Sequence, residues 1–348
     1  MPGFPLRRSS ERRSPARGAG RRTGIVAAAI LAVLVASCTP WGDPPLRVGV
    51  PPWVPAEFAF VARDLGFLNE KDIELVPYGS PIELSRHLRE GSLDAAALSL
   101  DFVPYWAGSI PSLDVVFVID VSQGANAVVA IPEVRDLAGL RGRRVGVEAS
   151  PLGAHMLLRA LKAGGLLARD VETVSVDSED QVDAFRSGSV DAVVTCEPDL
   201  TRLLSSGASL LLDSAQLPGQ IVDVLVVPSA TADKRKEALR ALVAGWMAAF
   251  ARLDGDHAAT VARLASGLSV EVATIERAVA GVRLGNLEIN QKMLGGPSPA
   301  LASTLADIES LAAGAGLLNG GRRGRVRFDT SFLPTSRPDG WLSGAGAR

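Results

Sequence analysis

Gly188-Ser189-Val190-Asp191-Ala192-Val193-Val194-Thr195-Cys196-Glu197-Pro198-Asp199-Leu200 reads as a glycine turn, a short apolar strand and an acid where the strand stops. The phrase occurs twice: Gly91-Ser92-Leu93-Asp94-Ala95, ninety-seven residues earlier, runs through the apolar segment Ala95–Leu100 to Asp101. At the same offset Arg47-Val48-Gly49-Val50 is answered by Arg144-Val145-Gly146-Val147, and Asp72-Ile73-Glu74 is answered one residue later by Asp170-Val171-Glu172. Three matches in one order predict a duplicated α/β unit of strand, helix, strand, helix and strand.

A chain of 348 residues is long enough for two such lobes, each with its own core. The formal net charge of −2 hides an asymmetry, because residues 1–37 hold seven Arg against one Glu, and without that surplus the remainder stands near −8. An acidic body argues against binding to a nucleic-acid backbone, which requires clustered Lys and Arg. Residues 1–37 read as a signal peptide: an Arg-rich start, then twelve uninterrupted apolar residues from Ile25 to Ala36. Twelve residues rise only about 18 Å as a helix, short of a hydrocarbon core of about 30 Å. Val35-Ala36-Ser37-Cys38 resembles the bacterial lipobox, whose Cys is diacylated and becomes the mature N-terminus, so Cys38 is the expected lipidation site. Residues 38–45 are then a Pro/Gly tether. With Cys38 lipidated, Cys196 has no intrachain partner, and the exported fold is held by its core rather than by disulfides.

Along the chain, Leu46–Val50 is the first strand. Pro51-Pro52-Trp53-Val54-Pro55 follows as a loop, since three prolines disfavour helix, and Glu57–Leu65 follows as a helix stopped by Gly66. This order places Trp53 and Glu57 on the rim where open α/β sheets bind ligands. Ser80-Pro81-Ile82-Glu83 and Ser150-Pro151 carry the signature of a helix start, Ser as N-cap and Pro at the first helical position. Val115–Ile119 is a strand, and Asp120–Asn126 reads as a polar loop after it. Ala127–Ile131 and Ile221–Val227 bracket the second copy and predict two crossings between lobes, a hinge. The lobes expected are 46–126 and 127–227, with 228–348 returning to the first lobe as C-terminal helices. Leu239, Leu242, Val243, Trp246, Met247, Phe250 and Leu253 follow the spacing of a buried helix face. Residues 319–328, rich in Arg and Gly, read as a solvated surface loop.

These segments resemble a known family, the type II periplasmic binding proteins of ABC importers, in the branch of nitrate, sulfonate and taurine binders with their thiamine-pyrimidine relatives. The resemblance spans residues 46–335. It is carried by Pro52-Trp53-Val54-Pro55-Ala56-Glu57 with Ala62-Arg63-Asp64-Leu65-Gly66-Phe67, by Leu137–Val147, by Cys196-Glu197-Pro198, and by Asp213-Ser214 with Pro218–Val227. It implies a two-lobed α/β clamp of the Venus-flytrap kind that shuts on a small solute and delivers it to a membrane permease driven by a separate ATPase. The chain itself contains no Gly-x-x-x-x-Gly-Lys-Ser/Thr motif. A lipid-anchored monomer on the outer face of the cytoplasmic membrane, without cofactor or metal, is expected.

The candidate ligand-binding residues are Trp53, Glu57, Ser80, Asp101 and Ser122 from the first lobe, and Ser150, His155, Glu197 and Asp223 from the second, all but His155 and Asp223 on the expected rim. For each acid the competing role is a helix cap or a hinge hydrogen bond. The rim is acidic, whereas Arg47, Arg143 and Arg144 lie at the opposite strand ends. Gathered carboxylates repel one another unless a cation or a rich donor enters. A solute with an amine or aminopyrimidine donor is therefore expected, with Trp53 offering a stacking or cation-π face. The alternative is an enzyme on the same fold, of the thiamine-pyrimidine synthesis or dehydratase kind, that uses Cys196 and His155 as a thiol–imidazole pair.

Overall fold

The computed structural model describes residues 43–106, 109–318 and 324–336. The leader, Cys38, most of the tether and residues 319–323 lie outside the described residues. The compact unit runs from Pro45. Its strands, in chain order, are β1 (Leu46–Val50), β2 (Ile73–Pro77), β3 (Ala95–Ser99), β4 (Ser112–Ser122), β5 (Asn126–Ala130), β6 (Arg144–Val147), β7 (Glu172–Ser175), β8 (Ala192–Cys196), β9 (Ser209–Asp213), β10 (Val222–Pro228), β11 (Val282–Leu284) and β12 (Arg325–Phe328). They make two sheets, one ordered β11-β4-β10-β3-β1-β2 with β12 also on β4, the other ordered β7-β6-β8-β5-β9.

The duplication is visible in the register. β1 lies parallel to β3 with Val48 opposite Ala95 and Gly49 opposite Ala96, and β6 lies parallel to β8 with Val145 opposite Ala192 and Gly146 opposite Val193. On the other side Val48 faces Leu75 while Val145 faces Thr173, so the second copy slips by one residue where the sequence repeat slips. The repeated acid has a physical reason. Asp94 accepts the backbone N–H of Arg47 at 2.9 Å, and Asp191 accepts that of Arg144 at 2.9 Å, pinning the start of β1 to the start of β3 and the start of β6 to the start of β8. Gly91 and Gly188 precede them at φ of +74° and +72°, the left-handed conformation in which a chain leaves a helix most easily as glycine.

The helices are α1 (Val54–Asp64), α2 (Pro81–Arg89), α3 (Pro151–Ala163), α4 (Gln181–Arg186), α5 (Asp199–Ser205), α6 (Ser229–Lys234), α7 (Lys236–Gly255), α8 (His257–Leu268), α9 (Val272–Ala280), α10 (Leu287–Leu294) and α11 (Ala300–Gly314). The apolar stripe of α7 packs with α1 and α8 on one face of the larger sheet, and all its members except the half-buried Leu253 are buried. Burial of a side chain the size of Phe250 contributes roughly 1.5–3 kcal/mol. Trp246 is fully buried because its one polar atom is satisfied, Nε1 donating to the Pro55 carbonyl at 3.1 Å. α2, α10, α11 and the 3-10 turn Leu100–Trp106 cover the opposite face. In the smaller sheet α3 covers one face, and α4 and α5 the other.

Four expectations change. α1 begins at Val54 rather than Glu57, because Pro55 falls in the first turn, where backbone N–H groups have no helical partner to lose. β4 runs on to Ser122, so Asp120 is a strand residue and not part of a loop. β10, read at the close of the segment 127–227, lies between β3 and β4 in the larger sheet. The stretch 319–328 is not simply solvated surface: Arg325–Phe328 is β12, and Arg327 pairs with Asp114, whose side chain is buried. An unpaired buried carboxylate is costly, so a guanidinium is drawn onto it.

Candidate functional site

The loops that follow β1, β2, β3, β6, β7 and β8 converge on a cleft of about 580 Å³ between the two sheets. All six leave the carboxyl ends of parallel strands, the position at which open α/β sheets bind ligands.

From the larger sheet, Trp53 lines the cleft as the N-cap residue of α1, and its indole Nε1 donates to Asp120 Oδ2 at 3.3 Å. Ser80 lines it too, its hydroxyl accepting the Ile82 N–H at 3.2 Å to cap α2. At the floor, Ser99 of β3, Asp223 of β10 and Asp120 of β4 lie side by side across the sheet. A bulge between β10 and β4 begins at Asp223, a distortion of the kind that re-aims side chains beside sites. Asp223 reaches the cleft, while Asp120 is buried behind it. Burial, then the Asp223 charge, raises the Asp120 pKa well above the carboxylate range. Burial, then the Asp101 charge, raises that of Asp223.

From the smaller sheet come the α3 start and the ends of β6 and β8. Ser150 caps α3, accepting the Gly153 N–H at 3.1 Å. Glu148 accepts from the Ser178 hydroxyl at 2.7 Å. Glu197 faces the cleft but also accepts from the Thr201 hydroxyl at 2.8 Å and the Thr201 N–H at 3.3 Å, which gives it a structural role at the start of α5. Thr195 lines the cleft, is 5% exposed, and has no hydrogen-bond partner for its Oγ1.

Of the candidates read from the sequence, Trp53, Ser80, Ser150, Glu197 and Asp223 meet around the cleft. Glu57 turns away from it: its carboxyl sits against Gly267 of α8, and burial lifts its pKa to about 7. Ser122 lies in the crossing segments, where its hydroxyl donates to Asn126 Oδ1 at 2.7 Å and meets Ser214 Oγ at 2.7 Å. Gly124, at φ +113°, donates its N–H to the same Ser214 oxygen at 2.7 Å. Asp101 and His155 do not line the cleft; they meet each other behind it, Nδ1 of His155 against Oδ1 of Asp101. Ser99, Asp120, Glu148 and Thr195 were not read as site residues from the sequence. The alternation in Ile119-Asp120-Val121-Ser122 was the available signal for Asp120, since it is a strand pattern.

Cys196 and His155 do not form a thiol–imidazole pair. Part of the Cys196 surface faces the cleft, yet burial first, then the charges of Asp199, Glu148, Glu197 and Asp223, push its thiol up to about 12. A thiol so far from ionisation is a poor nucleophile. His155 is engaged by Asp101 on one nitrogen and by Arg159 Nε, at 2.9 Å, on the other.

The model of the NMT1-like family matches residues 40–269. A curated aliphatic sulfonates-binding protein of Escherichia coli (strain K12) is 27% identical over 153 residues, 42% of this chain and 47% of that protein. The chain thus spans about half the length of the curated relative it matches. The crystal structure of the periplasmic aliphatic sulphonate binding protein SsuA from Escherichia coli superposes with a TM-score of 0.68 at 18% identity, covering 81% of this chain and 96% of that one. The crystal structure of the desulfurization enzyme DSZB superposes with a TM-score of 0.58 at 18% identity, covering 79% and 93%. At such identities the structures speak for the fold alone. The fold class and the family resemblance read from the sequence are both borne out.

Proposed function

The chain belongs to the NMT1-like family, and from that premise we propose that it captures a small polar solute, one carrying an amine or aminopyrimidine group, for an ABC importer. In this reading the larger sheet with its helices forms one lobe and the smaller sheet with its helices the other. They shut on the solute about the two crossings at Ser122–Asn126 and Asp213–Val222 and hand it to a permease driven by a separate ATPase. A solute shifts such a closure only by contacting both lobes. The protein is tethered through a lipid on Cys38 to the outer face of the cytoplasmic membrane and works as a monomer.

One observation carries the chemistry of the solute. The described residues lining the cleft include six acids, Glu148, Asp177, Glu179, Glu197, Asp199 and Asp223, and no Lys, Arg or His. A cation or rich hydrogen-bond donor relieves their repulsion, and Trp53 offers it a ring face. The helix starts at Ser80 and Ser150 suit an acidic group on the far end of a zwitterion. An aminosulfonate reconciles this acidic cleft with the sulfonates named for the relatives.

Calorimetry against amines, aminopyrimidines, taurine and simple anions tests the reading. Binding of amine-bearing solutes supports it; tight binding of nitrate or plain alkanesulfonates with no response to amines overturns it.

The DSZB neighbour favours a second reading, an enzyme on the same fold. Product analysis separates the two. Unchanged solute recovered after incubation with the protein supports the binder; turnover of the solute supports the enzyme.

A further inference from the structure

We propose that the paired carboxyls of Asp120 and Asp223 give up a proton when a protonated amine docks on Asp223, so that the cleft takes the cationic end of its solute by exchange rather than by simple ion pairing. This rests on the amine reading above and adds to it a stoichiometry.

β4 and β10 hold Asp120 and Asp223 directly opposite one another at the bulge, with Ser99 opposite Asp223 on its other side. Asp120 is 1% exposed and lies beneath Trp53, whose indole N–H it accepts, so a solute reaches the pair through Asp223. A buried carboxyl and a half-buried one side by side do not both ionise readily, and their titration belongs to the pair. Asp120 is closed off beneath Trp53 while Asp223 opens on the cleft, so the proton of the pair that a solute can displace is the one at Asp223.

The remaining titratable groups around Asp223 do not supply a counter-charge. Asp101, on the 3-10 turn after β3, is itself an acid and is committed to His155; Tyr105 of that turn feels the Asp101 charge; Cys196 of β8 stays a neutral thiol. A separate observation points to a bound solute. Thr195 Oγ1 is enclosed at the cleft wall without a partner, and a buried hydroxyl left unpaired costs stability unless a ligand or water answers it. The exchange balances: one ammonium charge enters, one proton leaves Asp223 for solvent, and the charge of the site is unchanged.

The test is proton release on binding, followed with a pH electrode in weakly buffered solution at about pH 6.5. Taurine, butylamine and ethanesulfonate are the probes, and calorimetry in phosphate gives their Kd between about pH 5.5 and 8. Taurine and butylamine are expected to release up to one proton per molecule bound. Their Kd falls by up to about tenfold per pH unit on the acid side and levels off above neutrality. Ethanesulfonate, which lacks the amine, releases none. Asp223→Asn is expected to abolish the release and flatten the pH dependence. Amine binding with no proton release and no pH slope, or equal release by ethanesulfonate, overturns the exchange while leaving the amine reading in place. Failure of both amines to bind overturns the reading beneath it.

Discussion

His155 Nδ1 lies 2.5 Å from Asp101 Oδ1, and both side chains are buried although one belongs to a helix that packs on the smaller sheet and the other to a turn that packs on the larger. Arg159 donates to the far nitrogen of the imidazole, so a neutral ring carries its proton on Nδ1, and the close approach to Asp101 is a contact without hydrogen-bond geometry. Ser99 donates to the other Asp101 oxygen at 2.7 Å. The chain Ser99–Asp101–His155–Arg159 therefore joins the two sheets behind the cleft. Removing the imidazole strands a buried carboxylate. His155→Ala is expected to cost roughly 3–5 kcal/mol in denaturant unfolding. Asp101→Asn/His155→Gln, which removes the carboxylate together with the imidazole, is expected to cost less than His155→Ala. An equal or larger loss for the double variant sinks the assignment.

Glu57 offers a test with the opposite sign. Its pKa is lifted from 4.5 to about 7, by burial first, with the Arg63 charge opposing. The folded state therefore binds the Glu57 proton more tightly than the unfolded chain, and this contribution is full below about pH 4.5 and is lost as pH rises toward 7. Glu57→Gln is expected to raise the Tm at pH 8 relative to the parent and to change it little at pH 4. Solute affinity is expected to be unchanged, because Glu57 faces α8 rather than the cleft. A Glu57→Gln protein that loses solute binding would return Glu57 to the site.

Asp191 is held by three hydrogen bonds from Arg144, two of them from the guanidinium, at 2.9, 3.2 and 2.8 Å. Those bonds, led by the guanidinium, depress its pKa below the ordinary value. A depressed acid stabilises the fold above its unfolded pKa and loses that contribution as pH falls through the folded value, so the loss is expected below about pH 4. Asp191→Ala is expected to cost about 1.5–3 kcal/mol at pH 7. It is also expected to shrink the difference in stability between pH 7 and pH 3. An acid transition as large as that of the parent would show that the pair contributes nothing there.

Arg327 of β12 chelates Asp114, with Nε donating to Oδ1 at 2.7 Å and the Ser229 hydroxyl sharing that oxygen at 2.5 Å. Asp114 is 0% exposed. Arg327→Ala is expected to destabilise by roughly 3–5 kcal/mol, and Arg327→Lys by less, since a point charge replaces a two-pronged donor. Limited proteolysis near 325–328 is expected to speed up in Arg327→Ala. Unchanged cutting would mean that β12 stays paired to β4 without this contact.

Much of the architecture was legible because it rests on local chemistry. A left-handed glycine, an acid that clamps the next strand and an apolar run recur at one spacing, and the paired registers of β1–β3 and β6–β8 follow from that recurrence. The N-caps at Ser80 and Ser150 were equally legible, since a Ser-Pro start is a property of a few adjacent residues. Asp120 was less so. Flanked by Gly124 and polar neighbours it reads as loop, and it becomes strand because β10 and β11 both pair with β4 at that point.

What the sequence determined by itself is the repeated α/β unit, the placement of the loops at the carboxyl ends of the strands and the acidity of the rim, all of which depend on residue type and short spacing. What the tertiary structure decided is which acids act together. Asp101 found His155, Glu57 turned to α8, Glu197 capped its own helix, and Asp120 joined Asp223. Strand pairing across 103 residues sets the last of these distances and helix packing the first two, and the burial that comes with them sets the protonation, so neither is written in any stretch of the chain read alone.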